Sequence, residues 1–264
     1  MKKFTLPKDG GLIEAGLPEG ILHSYERIPA HIFEDEDIAS ADLAEVIIRA
    51  INGSYGIFSL GLTTGSSPVS LYRELVRRHK AGDVSFKDVE IYSIDEYYPA
   101  PADSHSRNRR LYEELMSKID VKPENVHIPK LPEILDSEAV TAFCADFDAK
   151  ATGLDLLVMG IGEKGQVGFN EAGASDKSRT RTVLLPYGSR KRQAKNFANL
   201  NETPDKAIAM GISTMLSAKK IHLIAWGEDK AQIVKKIAED PVNPVCPASF
   251  LQRHENISFY LEEN

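Results

Sequence analysis

The stretch Ile57-Phe58-Ser59-Leu60-Gly61-Leu62-Thr63-Thr64-Gly65-Ser66-Ser67-Pro68 joins an apolar run to an amphipathic one. Residues 57–60 predict a buried strand, and residues 69–76 have the apolar spacing of a helix. The glycines allow a tight turn, and Pro68 suits a first helical position. The start of the helix and the hydroxyls of Thr63, Thr64, Ser66 and Ser67 would face this turn. The pattern favours an anion site, most naturally for phosphate, although an ordinary strand-to-helix connection has the same signature.

Strands and helices alternate along most of the 264 residues. Strands are predicted near residues 21–25, 57–60, 89–94, 126–128, 154–160, 182–185, 220–227 and 257–261. Helices are predicted near residues 36–53, 68–81, 109–119, 137–151, 213–218 and 229–239, and residues 1–35 otherwise read as irregular. Alternation of this kind predicts an α/β fold with a mainly parallel, doubly wound (Rossmann-like) sheet and helices on both faces. No repeat or linker interrupts it, so we expect a single domain over residues 1–264.

The composition narrows the class of partner. The net charge is −7 and no long basic stripe occurs, so nucleic acid is not an expected partner. No apolar run reaches the roughly 18 residues of a membrane span. Cys144 and Cys246 lie far apart, which favours reduced thiols in a cytoplasmic protein. Neither metal-ligand spacing nor a complete nucleotide fingerprint is present, so we expect no metal and no organic cofactor.

Two further loops follow predicted strands, and ligands of such sheets bind at the carboxyl ends of strands. In Ile94-Asp95-Glu96-Tyr97, two adjacent carboxylates follow a buried strand. Asp95 is a candidate general base, although either carboxylate could instead cap a turn or pair with an arginine. The loop Gly160-Ile161-Gly162-Glu163-Lys164-Gly165-Gln166-Val167-Gly168-Phe169-Asn170-Glu171 follows the most strand-like run. Its four glycines indicate unusual backbone geometry or a close approach to a ligand.

In this order and spacing, the three loops resemble the glucosamine-6-phosphate deaminase/isomerase family, which is related to the 6-phosphogluconolactonases. The resemblance runs from about Gly53 to Leu261. Phe169-Asn170-Glu171, and Tyr97 after the two carboxylates, are similar to the deaminases rather than to the lactonases. The resemblance implies a cytoplasmic enzyme of amino-sugar metabolism that acts on a small sugar phosphate, and by analogy a homo-oligomer.

The resemblance also implies roles for matching positions. The loop at residues 61–67 would hold the sugar phosphate together with Lys230 and Lys195, where Lys195 stands at a position that is typically arginine. Asp95 matches the base that moves a proton between C2 and C1 of the open-chain sugar. Glu171 matches a carboxylate that supports a ring-opening histidine. Arg181 matches an effector-binding arginine, but Val183 replaces the lysine that accompanies it, so we do not expect that regulation to be retained.

The chain departs from the family inside the third loop. Lys164 occupies the position expected for aspartate, and Gln166 occupies the position expected for histidine. A glutamine cannot accept and return a proton near neutral pH, so the usual ring-opening relay is absent. Gln166 could still bond a sugar hydroxyl or ring oxygen, and Lys164 could attract a second anionic group or pair with a nearby glutamate. His105 is the candidate substitute imidazole, in a loop whose arginines read either as a lid or as a solvated helix start.

The expected activity is conversion of glucosamine 6-phosphate, or a close variant, to fructose 6-phosphate and ammonia. The departure at Lys164 and Gln166 leaves two alternatives open: a related enzyme for another hexose phosphate, and a catalytically weak or silent sugar-phosphate sensor. A lactonase is a weaker alternative. The sequence does not decide the epimer of the substrate.

Overall fold

The computed structural model describes residues 21–22, 27–131 and 133–263, and a central sheet of eight strands organises them. In spatial order the strands are Ile21–Leu22 (β1), Ala30–Phe33 (β2), Ile257–Glu262 (β11), Ile221–Ala225 (β10), Leu156–Gly160 (β7), Phe58–Leu62 (β3), Val89–Ser93 (β4) and Val126–His127 (β6). All neighbours pair in parallel except β1 and β2. The predicted mainly parallel sheet is confirmed.

Helices cover both faces of this sheet because its central strands are apolar on both sides. In β7, Leu156 and Val158 face one core, whereas Leu157 and Met159 face the other. The first core is closed by Glu36–Asn52 (α1), Val69–Lys80 (α2) and Arg109–Glu114 (α3). The second is closed by Ser137–Ala151 (α4), Ile212–Leu216 (α6) and Glu228–Glu239 (α7). The doubly wound architecture is therefore confirmed.

Gly61 fits the centre of the sheet by having no side chain. A Cβ atom there would lie 2.5 Å from Leu157 Cδ1 and 2.7 Å from Leu154 Cδ1. Both leucine side chains belong to the second core, so the glycine of β3 leaves the space that they fill.

The order of the strands fixes where a ligand is expected. From β3 the chain steps outward to β4 and β6, and from β7 it steps outward in the opposite direction to β10 and β11. The neighbours β3 and β7 therefore mark the topological switch point of the sheet. The loops that follow them, residues 63–68 and 161–171, border the crevice where open α/β sheets bind ligands.

A second, antiparallel sheet corrects the sequence interpretation of Asp95, which was expected in a loop. Asp95–Tyr97 forms a short strand (β5) that pairs with Lys206–Ala209 (β9), and Arg181–Leu184 (β8) pairs with the other side of β9. β5 and β9 are more than 100 residues apart in sequence, so no local pattern predicts their pairing.

Three other sequence expectations need correction. The segment before residue 36 contains β2, because Ala30–Phe33 pairs with β11. The helix predicted to reach residue 119 ends at Glu114, since Leu115 leaves helical geometry (φ −129°, ψ −71°). Tyr187–Gln193 forms an additional helix (α5) that was not predicted. The strand expected at residues 21–25 covers Ile21–Leu22, and residues 23–25 lie outside the described residues.

Candidate active site

A cleft of about 600 Å³ opens beside the carboxyl ends of β3 and β7. Its walls combine the turn after β3, the segment at residues 104–110, the glycine-rich loop after β7, α5 with the turn that follows it, and the start of α7. The structure therefore brings together three segments that the sequence singled out separately, at the edge where the strand order reverses.

Thr63, Thr64, Gly65, Ser66 and Ser67 all line this cleft and form what we call the phosphate loop. Gly65 adopts a φ of +102°, a conformation that glycine reaches without strain. The Tyr72 hydroxyl donates to the Thr63 carbonyl at 2.5 Å, and the Trp226 indole donates to the Ser67 carbonyl at 2.7 Å. Both of these carbonyl oxygens are therefore occupied by donors from the protein. Because α2 begins at Val69 and has no acidic residue in its first turn, the loop suits an anion.

The cleft is positively charged although the chain is acidic. Its lining has six basic side chains, Arg107, Arg109, Arg110, Arg192, Lys195 and Lys230, and two acidic ones, Glu163 and Glu171. The chain as a whole has a net charge of −7. The predicted phosphate ligands Lys195 and Lys230 thus lie on the same cleft as the phosphate loop, and the surplus of cations favours an anionic ligand there.

Asp95 lies under the floor of the cleft rather than in its wall. Its side chain is 0% exposed, and Oδ1 accepts a hydrogen bond from the Thr64 hydroxyl at 2.8 Å. Within the described part of the chain, Oδ2 has no hydrogen-bond partner. Burial raises the pKa of Asp95, while Arg107 and the Thr64 hydrogen bond act in the opposite direction. The sequence expected a partly desolvated carboxylate, and the structure buries it completely.

Gly168 lies against the free oxygen of Asp95. A Cβ atom at Gly168 would lie 3.1 Å from Asp95 Oδ2, and the residue has a φ of +56°. Gly168 itself lines the cleft. Because glycine has no Cβ atom, the glycine-rich loop can approach this oxygen closely.

Glu96 has a structural role that sequence reasoning left undecided. It is 0% exposed and accepts hydrogen bonds from the Tyr97 N–H at 2.8 Å and the Arg107 N–H at 2.9 Å. The Ser106 hydroxyl and the Asn108 side-chain amide also donate to it. The adjacent carboxylates thus differ: Glu96 shapes the segment at residues 106–108, whereas Asp95 keeps an oxygen free. The clustered Ser106 and Asn108 were the signal available in the sequence.

The two substituted positions of the glycine-rich loop differ in placement. Gln166 lines the cleft, and its Oε1 accepts from the Lys164 N–H at 2.9 Å. Its side chain folds against Gly162, where a Cβ atom would come within 2.3 Å of it. Lys164 is exposed and outside the cleft lining, and within the described residues it makes no ion pair with Glu163 or Glu171. Of the two roles that the sequence left open for Lys164, pairing with a nearby glutamate is not seen among the described residues, and attraction of a second anionic group stays a prediction.

Glu171 is held by a helix that the sequence did not predict. The Ser189 hydroxyl of α5 donates to Glu171 Oε1, and Arg192 donates to the same hydroxyl at 2.7 Å. All three side chains line the cleft. Ser189 and Arg192 are candidate functional residues that sequence reasoning missed, and the basic run at residues 190–192 was the available signal.

His105 lines the cleft and is exposed. Its ring stacks on Phe197 with 5.3 Å between centroids, and its Nδ1 lies 3.0 Å from the Ser104 hydroxyl oxygen. Because Phe197 follows the turn that contains Lys195, this contact joins the segment at residues 104–110 to the turn after α5.

The described residues show neither a metal site nor a membrane-spanning helix, and their cysteines are unpaired. They include no group of three or more His, Cys, Asp or Glu side chains placed to hold a metal ion. No helix in the described ranges is long and apolar enough to cross a membrane. Cys144 and Cys246 are both free and buried.

Comparison with known proteins places this geometry in a family. Residues 34–259 match the family model described as glucosamine-6-phosphate isomerases/6-phosphogluconolactonase. The glucosamine-6-phosphate deaminase of Rhodopirellula baltica is 37% identical over 238 residues, which cover 89% of this chain and 94% of that protein. The deaminase of Hahella chejuensis is 41% identical over 196 residues, covering 74% of each chain. A glucosamine-6-phosphate deaminase-like protein of Bacteroides thetaiotaomicron is 35% identical over 92% of this chain, which spans only 37% of that longer protein.

Solved structures agree with the sequence comparison. A monomeric glucosamine-6-phosphate deaminase superimposes with a TM-score of 0.81 at 30% identity, covering 89% of this chain and 97% of that one. The 6-phosphogluconolactonase of Thermotoga maritima has a TM-score of 0.67 at 18% identity, covering 89% and 99%, and shares the fold. The chain therefore belongs to the glucosamine-6-phosphate isomerase/6-phosphogluconolactonase family.

Proposed function

We propose that this chain is a cytoplasmic deaminase/isomerase that converts a hexosamine 6-phosphate, in the first place glucosamine 6-phosphate, into the ketose phosphate and ammonia. The observation that carries the proposal is a buried carboxylate, Asp95, hydrogen-bonded to the phosphate loop beneath a cationic cleft. The relatives named glucosamine-6-phosphate deaminase, at 37% and 41% identity, support this reaction over the lactonase alternative.

The phosphate loop, Lys230 and Lys195 bind the 6-phosphate and so fix the distance from that end of the sugar to Asp95. Asp95 removes the proton from C2 of the open-chain aldose and returns it to C1 through an enolamine, while a proton passes from the C2 ammonium group to O1 so that the aldehyde oxygen becomes a hydroxyl. The product is an imine at C2, and water adds to that carbon to give the ketone and release ammonia. The removal of the C2 proton requires Asp95 in its ionised form, because a protonated carboxyl group cannot accept that proton.

Because Gln166 replaces the histidine, other groups must transfer the proton that opens the sugar ring. Glu171 lies on the cleft and keeps a carboxylate oxygen that is not used by Ser189, so it is our first candidate for proton transfer to the ring oxygen. Gln166 binds a sugar oxygen through its amide group and moves no proton. His105 is the second candidate acid–base group, since it also lines the cleft.

A second candidate function is isomerisation of a different hexose phosphate, and Gln166 is the observation that favours it. An amide in place of an imidazole changes both the proton chemistry and the hydrogen-bonding pattern offered to the sugar. A sugar-phosphate sensor would keep the phosphate loop and have no need of a buried carboxylate with a free oxygen.

The deciding experiment measures ammonia release and ketose formation from glucosamine, galactosamine and mannosamine 6-phosphates, with unsubstituted hexose 6-phosphates and 6-phosphogluconolactone as further substrates. Ammonia and ketose in equal amounts from an amino sugar support the deaminase. Ketose from an unsubstituted hexose phosphate alone supports the second candidate. Calorimetric binding without any turnover would identify a sensor and overturn the proposal.

A further inference from the structure

We propose that Arg107 is a built-in counter-ion of Asp95, which keeps this carboxylate ionised although it is completely buried. The inference deepens the proposed function, because it rests on Asp95 as the base, and it concerns a residue for which the family resemblance supplied no role. Arg107 acts on the reaction through Asp95 and is therefore a positioning residue.

The guanidinium of Arg107 lies between the carboxylate and an aromatic ring. Its Nε is 3.5 Å from Asp95 Oδ1, and its Cζ lies 4.8 Å from the centroid of Phe169. Within the described part of the chain, the buried Nε has no hydrogen-bond partner. The side chain is 19% exposed. Packing on Phe169 and attraction to Asp95 therefore account for where this charge sits.

The backbone of Arg107 is fixed independently of its side chain. Glu96 accepts the Arg107 N–H at 2.9 Å and the Asn108 side-chain amide at 2.9 Å. The Asn108 amide also donates to the Asp95 carbonyl at 2.9 Å. The residue next to the base thus anchors the segment that delivers the cation, so the pair is preorganised rather than a chance surface contact.

The charged and titratable groups that act on Asp95 are few. Arg107 favours its ionised form, Glu96 disfavours it, and Tyr97 is the third titratable neighbour. Burial raises the pKa of Asp95 most strongly, and Arg107 is the largest opposing influence, ahead of the Thr64 hydrogen bond. Removal of Arg107 must therefore raise the pKa of Asp95 further, and the base would be protonated at pH values where it now works.

The first test is the pH dependence of turnover. Since activity needs the ionised form, we expect Arg107→Gln to move the acidic limb of the kcat profile upward by about 1–3 pH units, as expected for loss of an opposite charge at this distance. Arg107→Lys keeps the charge and should restore most of the limb. Arg73→Gln removes an equal charge from the exposed face of α2, outside the cleft, where Arg73 faces Glu114 at 3.3 Å, and should leave the position of the limb unchanged.

The second test needs no activity. The pKa of Asp95 lies above its ordinary value of 3.8, so the folded state holds this proton more tightly than the unfolded chain. The free energy of unfolding therefore falls as the pH rises from the ordinary value to the folded pKa. Arg107→Gln should extend this fall to higher pH, and the extension should vanish when Asp95→Asn is also present.

The two tests separate the two proposals. An extension seen in the unfolding data with no turnover on any sugar phosphate would support the counter-ion and refute the proposed function. The opposite result is a pH profile of turnover whose acidic limb does not move in Arg107→Gln, together with no extension in the unfolding data. This result would refute Arg107 as the counter-ion and leave the proposed function standing.

Discussion

Replacement of Asp95 by asparagine removes one charge and hardly changes shape. The Thr64 hydroxyl, 2.8 Å from Oδ1, can still donate to an amide oxygen, and the phosphate loop should keep its position. The amide cannot accept the C2 proton, so we expect kcat to fall about 10²–10⁴-fold, the range for loss of a general base. At about 1.36 kcal/mol for each tenfold change, this is about 2.7–5.4 kcal/mol of barrier. KM should change little, because the phosphate contacts remain.

The same substitution tests whether the fold survives. It leaves Arg107 without the carboxylate 3.5 Å away, a cost of about 1–3 kcal/mol that is partly offset because a buried charge is also removed. A domain of this size loses about 2–4 °C of Tm per kcal/mol, so the variant should remain folded at assay temperature. Ammonia release and thermal unfolding followed by circular dichroism measure the two effects. A folded variant that turns over within tenfold of the parent would refute Asp95 as the base.

Three other substitutions test separate parts of the structure. Lys230→Gln should raise KM about 10- to 150-fold, since a charge-assisted contact is worth about 1.5–3 kcal/mol. The control Lys235→Gln, on the exposed side of α7, should leave KM unchanged. Equal KM values for the two variants would show that Lys230 does not bind the phosphate. Lys164→Asp combined with Gln166→His should raise deaminase turnover, measured as ammonia release, although neither single change does so. Unchanged turnover in the double variant would show that ring opening does not limit the rate of the enzyme. Gly61→Ala should lower the free energy of unfolding by about 1–3 kcal/mol because its Cβ would meet Leu157 and Leu154. Gly188→Ala on the exposed part of α5 should instead raise it by up to about 1 kcal/mol; a stable Gly61→Ala protein in denaturant titration would contradict the packing argument.

The central sheet was predictable because its signals are local. The apolar runs at residues 57–60 and 154–160 are bounded by glycines, and the helix at residues 137–151 has a regular apolar spacing that the structure reproduces. The small antiparallel sheet was not, since Asp95–Tyr97 is only three residues long and its partner β9 is distant in sequence.

The candidate site shows the same division. The loops that form the cleft could be found from their glycine, hydroxyl and carboxylate content, because the carboxyl ends of neighbouring strands meet at one edge. The partners of the site residues could not. Ser189 reaches Glu171 through α5, and Arg107 reaches Asp95 through a segment folded around Glu96. Each of these contacts depends on side-chain direction in three dimensions, which spacing along the chain does not fix.

The hydrogen bond between Thr64 and Asp95 couples the position of the anion-binding turn to that of the reacting carboxylate. An anion bound by the backbone N–H groups of that turn would fix the position of Thr64, and with it the orientation of the carboxylate at the far end of the sugar from the phosphate. Binding energy gained at a nonreacting group would then lower the free energy of the transition state. A sugar without its phosphate should consequently lose maximal rate as well as affinity, and free phosphite should restore part of that rate although it is not joined to the sugar.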